Sequence, residues 1–431
     1  MALTSLDAAG LAPATPTSRD GFGPPRRLLV FGINFPPEPT GTALNSAGYT
    51  QGVAALGWNV TFVSGVPHYP SWQRGEAPKR STEDGVKVTR KWHYVPRAQS
   101  TLKRSTYEAT WLANAFPTVM AKRQVDLVLG VVPSVGGAVL AAIAAKRYGV
   151  PYALLFQDLI GKAATQSGIA GAARVAGPVR RVETALARRA ERVAIVAEGF
   201  RDYFVDAGVD PAKIVRLRNP ARLGRALEAR EATRARLGWD GRFVVIHTGS
   251  MGYKQGLENL VSAAEYLRDR PEFRFVLQGD GNQRDKLERD VRARKLENVE
   301  FLPVAPAEEF PSILRAADAA LLNQRASVNN MSLPAKLASY FAAGLPVVAA
   351  VASGDETARE VELAQAGVVV EPDDPNALAV SIQDLHADPG ACASLGGAGE
   401  RYAEDHLSVD SAVAAFEKFL QSCLSAEVAL K

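Results

Sequence analysis

The sequence predicts an α/β protein of two doubly wound halves facing a central cleft. Strand-like apolar runs alternate with helix-like segments from residue 26 onward, the pattern of parallel strands joined by crossover helices. The alternation breaks at Pro220 to Gly224 and then restarts, so two sheets are expected rather than one. With 431 residues the chain is long enough for two or three domains with sizeable cores. The expected divisions are a disordered tail over 1–25, a first domain over 26–220, a second over 225–407, and a closing helix over 408–431.

The elements follow in order. The first 25 residues are small, polar and Pro-rich with no apolar stretch before a cleavage site, so they read as a disordered tail and not as a signal peptide. The first half supplies RRLLVFGI, WNVTFVSG, VKVTRKWHYV, VDLVLGVV, PYALLFQDL, RVAIVA and KIVRLRN. The second half supplies RFVVIHTG, FRFVLQG, NVEFLP, AALLN, PVVAA and GVVVEP, each followed by a loop and a helical stretch. Three helix-like segments close the chain, and the last, Ser408 to Leu424, belongs by order to neither sheet. It is expected to cross back to the first domain.

Composition narrows the function classes. At 47% hydrophobic and 22% charged the chain reads as globular, and a net charge of +4 over this length gives no footprint for nucleic acid. No stretch approaches the roughly 20 apolar residues that span a bilayer. Cys392 and Cys423 form neither a metal spacing nor a disulfide framework, which fits a reducing cytoplasm. No His, Cys or carboxylate cluster has the spacing of metal ligands, so neither a metal nor another cofactor is expected.

Chemistry is expected at strand ends, where ligands of doubly wound sheets sit. In HTGSMGYKQGLENL, Gly249 and Gly252 allow tight backbone and close approach of a ligand, while Ser250 and Lys254 stand beside the amides of a helix start. Such a place attracts anions, although an ordinary turn with an exposed lysine has the same letters. In NFPPEPTGTALNS, Gly41 and Thr42 precede a helix and can meet a phosphate; a stiff Pro-rich connector is the alternative. NNMSLPAKLASYFAAGLPVVAA reads as a helix with Ser332 as N-cap, Pro334 in the first turn and Gly344 at the end, which places Lys336 near a second helix start. Two such starts, each with a lysine, suit a diphosphate better than one phosphate. No GxxxxGK[ST] appears, and GDGNQ is not a dinucleotide fingerprint.

His68 and Asp158 end or follow first-domain strands and are candidates for acceptor contact, with a satisfied surface residue as the other reading of His68. His93, His247, His386 and His406 are assigned structural roles. The arginines of ARVAGPVRRVETALARRAERV (Arg180, Arg181, Arg188, Arg189 and Arg192) make either a solvated helix face or a basic face for anionic headgroups, a peripheral membrane contact.

Taken together, FGINFPPEPTG, VPHYPSW, FQDL, VAEGFRDYF, LRNP, GSMGYKQGLENL, LQGDGNQRDKL, NVEFLPV, LPAKLASYFAAGLPVVA and DETARE resemble the family 4 glycosyltransferases of the GT-B fold, particularly bacterial sugar transferases of surface-polysaccharide assembly. The resemblance implies two Rossmann-like domains, a UDP- or GDP-type sugar donor held mainly by the second, a hydroxyl acceptor held by the first, lipid-linked or not, and retention of anomeric configuration. It sets Lys254 on the donor diphosphate, Gly41 in the first-domain phosphate loop, and Pro303 and Val304 beside the base. Many members carry two glutamates separated by seven residues; here Met331 and Ser339 stand at those places, and Ser250 or Met251 replaces an arginine that assists the lysine. The donor set is then Gly41, Thr42, Gly249, Ser250, Lys254, Pro303, Val304, Met331, Ser332, Leu333, Lys336 and Ser339. Glu38, His68 and Asp158 lie on the acceptor side, and Lys254 and His68 carry the catalytic roles. The expectation is a metal-independent retaining glycosyltransferase of the cytoplasm or inner membrane face. A non-catalytic nucleotide-sugar-binding partner subunit, which would explain the missing glutamates, and a sugar-nucleotide epimerase are the alternatives.

Overall fold

The computed structural model describes residues 25–69, 71–97, 100–159, 172–327 and 333–425, with the side chains of 172–175 outside the description. The tail expected over 1–25 therefore lies, but for its last residue, outside the described residues. Two compact units result, one running to Pro220 and taking in the chain from Ser408 onward, the other Ala221–Leu407.

The first unit contains β1 (Arg27–Phe31), α1 (Gly41–Ala55), β2 (Asn59–Gly65), β3 (Arg80–Glu83), β4 (Val86–Lys91), α2 (Thr101–Met120), β5 (Leu127–Val132), α3 (Val135–Tyr148), β6 (Tyr152–Phe156), α4 (Ala172–Arg189), β7 (Arg192–Ile195), α5 (Arg201–Val205) and β8 (Ile214–Arg216). Its sheet runs β3-β4-β2-β1-β5-β6-β7-β8, parallel except where β3 meets β4. LVLGVV and YALLF are buried at every position because helices cover both faces, the condition under which a strand reads as a continuous apolar run. β3 was not expected. Its sequence, RSTE, carries no apolar signal, but Asp84 (φ 46°) and Gly85 (φ 82°) turn the chain directly into β4. Asp-Gly with both residues at positive φ is the two-residue hairpin turn that matches strand twist.

The second unit contains α6 (Arg230–Leu237), β9 (Phe243–Ser250), α7 (Glu258–Tyr266), β10 (Phe273–Asp280), α8 (Arg284–Ala293), β11 (Val299–Leu302), α9 (Phe310–Ala316), β12 (Ala319–Asn323), α10 (Ala335–Ala342), β13 (Val347–Ala350), α11 (Glu356–Ala364), β14 (Gly367–Val370), α12 (Pro375–Ala387) and α13 (Pro389–Leu407). All six strands are parallel, in the order β11-β10-β9-β12-β13-β14. The chain starts in the middle, winds out to β11, and returns to wind the other way from β12. The carboxyl ends of β9 and β12 thus flank the switch point, the place where such sheets leave a crevice for ligand.

The closing helix, α14 (Val409–Ser425), packs in the first unit. Phe416 meets Tyr49 of α1 with ring centroids 4.9 Å apart, and Trp58 donates to Glu417 at 3.4 Å. Contact is close because Gly52 has no side chain: a Cβ there would stand 2.2 Å from a Val413 methyl.

Candidate functional site

The switch point of the second unit gathers Gly249, Ser250, Lys254 and Lys336 of the residues expected to meet a donor. β9 ends in His247, Thr248, Gly249 and Ser250, in register with Leu277 to Asp280 of β10. Gly249 takes φ +93° and Gly279 takes φ +144°, and a Cβ on Gly279 would stand 1.9 Å from the Gly249 carbonyl oxygen. Only glycine lets these strand ends run so close.

Lys254 occupies a turn of its own. Tyr253–Gln255 form a single 3-10 turn closed by Gly256 at φ +55°, and α7 begins only at Glu258. Lys254 thus stands in the loop before the helix, as its place ahead of Leu257 implied, on a 3-10 turn of its own. The start of α7 already carries a carboxylate: Glu258 accepts from Lys286 at 3.0 Å and Arg325 at 2.9 Å, so the positive end of that helix is met from within the chain. The 3-10 turn, by contrast, presents Lys254 exposed at the end of β9.

Two residues that the sequence reading passed over hold this turn. Asn323, the last residue of β12, donates to the carbonyls of Gln255 at 2.7 Å and Gly256 at 3.0 Å, and accepts from Asn259 at 2.9 Å. The Arg325 backbone donates to the Lys254 carbonyl at 3.0 Å, its Nε to the Tyr253 carbonyl at 2.7 Å, and its guanidinium lies 4.2 Å from the Tyr253 ring centre. The signal was available: AALLN ends an apolar strand with a buried amide at the switch point.

Lys336 and Tyr340 lie one turn apart on α10 and reach β9 together. The Tyr340 hydroxyl accepts from Thr248 N at 2.9 Å, and Lys336 Nζ donates to His247 Nε2 at 3.2 Å. Burial pushes the Lys336 ammonium down to about 7. His247 is fully buried and held well below its ordinary range, first by burial and then by the Lys336 charge, so it is the neutral acceptor of this pair. Its expected role was structural; it is in addition the partner that fixes Lys336 beside Gly249. No side chain caps α10, whose N-cap position is Pro334 and not the expected Ser332. Met331 and Ser332 lie outside the described residues, while Leu333 and Ser339 are half-buried on either side of Lys336. Pro303 and Val304 follow β11 at the outer edge of the same sheet, and Val304 is 68% exposed.

In the first unit, Glu38 and His68 form a buried cluster. Glu38 Oε1 accepts from the backbones of His68 at 2.7 Å and Tyr69 at 3.1 Å and lies 2.9 Å from His68 Nδ1, while Oε2 accepts from Asn34 at 2.7 Å. Burial opposes the Glu38 charge, but the bonds from His68 and Asn34 outweigh it and hold the carboxyl below its ordinary range. With Nδ1–H turned to Glu38, His68 Nε2 accepts from the Tyr107 hydroxyl at 3.2 Å. Both ring nitrogens are thereby occupied and His68 is 3% exposed. His68 and Glu38 lock the loop after β2 to the loop after β1, and their neighbour Tyr69, 45% exposed, faces outward. Asp158 follows β6, half-buried, with Oδ1 accepting from Leu159 N at 2.8 Å. Gly41 and Thr42 open α1, capped by Thr40, which accepts from Ala43 N. Gly41 has no neighbour within 4 Å of where a Cβ would stand, so packing does not demand a glycine there.

Comparison with known proteins places these features in a family. Residues 242–388 match the family "Glycosyl transferases group 1" and residues 40–220 match "Glycosyl transferase 4-like domain". The putative colanic acid biosynthesis glycosyl transferase WcaI of Escherichia coli is 30% identical over 375 residues, 83% of this chain and 91% of the relative. The chain belongs to the family 4 glycosyltransferases. A GDP-mannose-dependent mannosyltransferase acting on phosphatidylinositol monomannoside in Mycolicibacterium smegmatis is 30% identical over 42% of this chain and 48% of its own. Among solved structures, sucrose-phosphate synthase from Thermosynechococcus elongatus superposes with a TM-score of 0.73 at 17% identity, over 93% of this chain and all of the other. HepE of Anabaena, in complex with UDP-glucose, gives 0.65 at 18% identity over 92% of this chain and 99% of its own. The fold is GT-B.

The arginine-rich segment of this glycosyltransferase finds local partners. Arg180 lies 5.1 Å from the Tyr203 ring centre, Arg188 donates to the Ala207 carbonyl at 2.8 Å, Arg189 to Ala185 at 3.3 Å, and Arg192 lies in β7, 3.7 Å from Glu191. No helix among the described residues is long and apolar enough to cross a membrane.

Proposed function

We propose that this family 4 glycosyltransferase takes a nucleoside-diphosphate sugar of the UDP or GDP type and transfers the sugar to a hydroxyl acceptor with retention of configuration and without a bound metal. The observation that carries the reading is the pair of lysines at one switch point: Lys254 on its 3-10 turn and the half-buried Lys336 beside Gly249. As the glycosidic bond breaks, its electron pair stays on the β-phosphate oxygen, and fixed positive charge at that oxygen lowers the barrier. The acceptor hydroxyl attacks from the face the phosphate leaves, and its proton passes to the departing phosphate oxygen. No protein nucleophile is required.

The family relative named for GDP-mannose and the fold neighbour holding UDP-glucose support a nucleotide-sugar donor. The Escherichia coli relative named for colanic acid biosynthesis supports an acceptor in polysaccharide assembly. Pro303 and Val304 are assigned to the base, and the first unit, with Asp158, to the acceptor. A panel of UDP- and GDP-sugars tests this. One donor is expected to turn over by slow hydrolysis, undiminished by a chelator, and to release the sugar first as the anomer it had in the donor. Tight binding without turnover, or release of the opposite anomer, overturns the reading.

A further inference from the structure

We propose that the outer edge of the first unit's sheet carries a second anion site, formed by Arg80, Lys87, Lys91 and Arg123, that takes a phosphate or pyrophosphate group. The site is built by the β3–β4 hairpin. Along β4 the side chains alternate, so Val86, Val88 and Arg90 turn inward while Lys87, Thr89 and Lys91 share the other face. Register places Arg80 opposite Thr89 and Thr61 of β2 opposite Lys87. The last turn of α2 and Arg123 close this face into a cavity of about 390 Å³ whose lining holds four cations and three threonine hydroxyls and no carboxylate. That volume falls in the range of small-ligand sites.

Charge is the second observation. On the inward face Arg90 is neutralised by Glu83 at 2.6 Å. Among the described residues Arg80, Lys91 and Arg123 have no carboxylate within ion-pair distance, and Lys87 meets only the Asn59 amide oxygen at 3.3 Å. Burial, followed by the charges of Lys79, Arg80 and Arg123, holds the Lys91 ammonium below its ordinary range. Like charges gathered without a counter-charge cost stability, and an oxyanion reverses the sign of that cost. Phe116 and Met120, 38% and 53% exposed, belong to the same last turns of α2 as Pro117 and Thr118, so the phosphate can be one borne by a lipid as well as a soluble one.

The full chain is titrated with inorganic pyrophosphate, and separately floated with phosphatidylcholine vesicles with and without phosphatidic acid. Lys91→Gln combined with Arg123→Gln should bind one equivalent of pyrophosphate fewer than wild type, or that equivalent at least about tenfold more weakly, since charge-assisted bonds to the anion are lost. UDP and GDP affinities should stay unchanged, which separates this site from the proposed donor site whether or not that reading holds. Lys91→Arg combined with Arg123→Lys should retain binding and so exclude misfolding as the cause. Loss of vesicle binding as well, with Arg188→Gln plus Arg189→Gln unaffected, assigns the phosphate to a lipid; loss of pyrophosphate alone assigns it to a soluble ligand. Pyrophosphate binding equal to wild type in the Gln variant overturns the proposal.

Discussion

Lys336 and His247 show what single residues gain from their surroundings. A lysine held near 7 by burial is half neutral at neutral pH, and a phosphate beside it restores the proton. Nucleotide affinity should therefore be flat below pH 7 and fall above it, by up to about tenfold per unit, with about one proton taken up per nucleotide bound. Calorimetry with UDP or GDP in buffers of different ionisation enthalpy reads that uptake; none at pH 8 counts against phosphate contact by Lys336. Lys336→Met should flatten the profile. Stability follows the same linkage with its own sign. The unfolded lysine binds a proton from its ordinary 10.5 downward and the folded one only from about 7, so the ligand-free protein should lose stability as pH falls between these values. Lys336 was legible in the sequence because a Pro near the start and a Gly at the end mark its helix. The role of His247 was not, since a histidine inside RFVVIHTG reads as strand filler until the fold places α10 across it. His68 erred the other way: its place after a strand suggested exposure, but no local pattern announces that Glu38, thirty residues earlier, closes over it.

Elements were legible where their periodicity was strong. The buried runs of β1, β5, β6, β9 and β12 read directly as strands, whereas β3 was missed because an edge strand facing solvent needs no apolar residue; its only signal was Asp84-Gly85. The glycines of the strand ends divide into two kinds, which stability measurements separate. Gly279→Ala should destabilise by about 2–5 kcal/mol, because a side chain there meets the Gly249 carbonyl at 1.9 Å on backbone at φ +144°. Gly41→Ala, at the start of α1, meets nothing within 4 Å and should change stability by less than about 0.5 kcal/mol, although in the sequence both read as loop glycines after a strand. Urea midpoints of the two variants against wild type check the contrast; equal shifts would mean that the close strand ends are not what holds Gly279.

At the scale of the whole molecule, the restart of strand alternation after Pro220 made two sheets legible, and the winding of the second sheet from its middle outward puts Gly249, Asn323 and Lys336 around one switch point. The net charge of +4 was no guide to where charge acts, because it averages over the cation cavity at β4, the arginines of α4 and the lysines of the switch point. The central claim is that the turn after β9 receives the leaving diphosphate. It is tested most directly by donor turnover and nucleotide affinity of wild type and Lys254→Ala, compared at matched folded fraction. Lys254 is exposed on a turn held by Asn323 and Arg325, so truncation leaves no core cavity and the melting temperature should hardly move. Turnover should fall roughly 100-fold to 1,000-fold, the cost of losing one preorganised charge at the departing oxygen. Turnover and affinity both within about threefold of wild type would contradict the account.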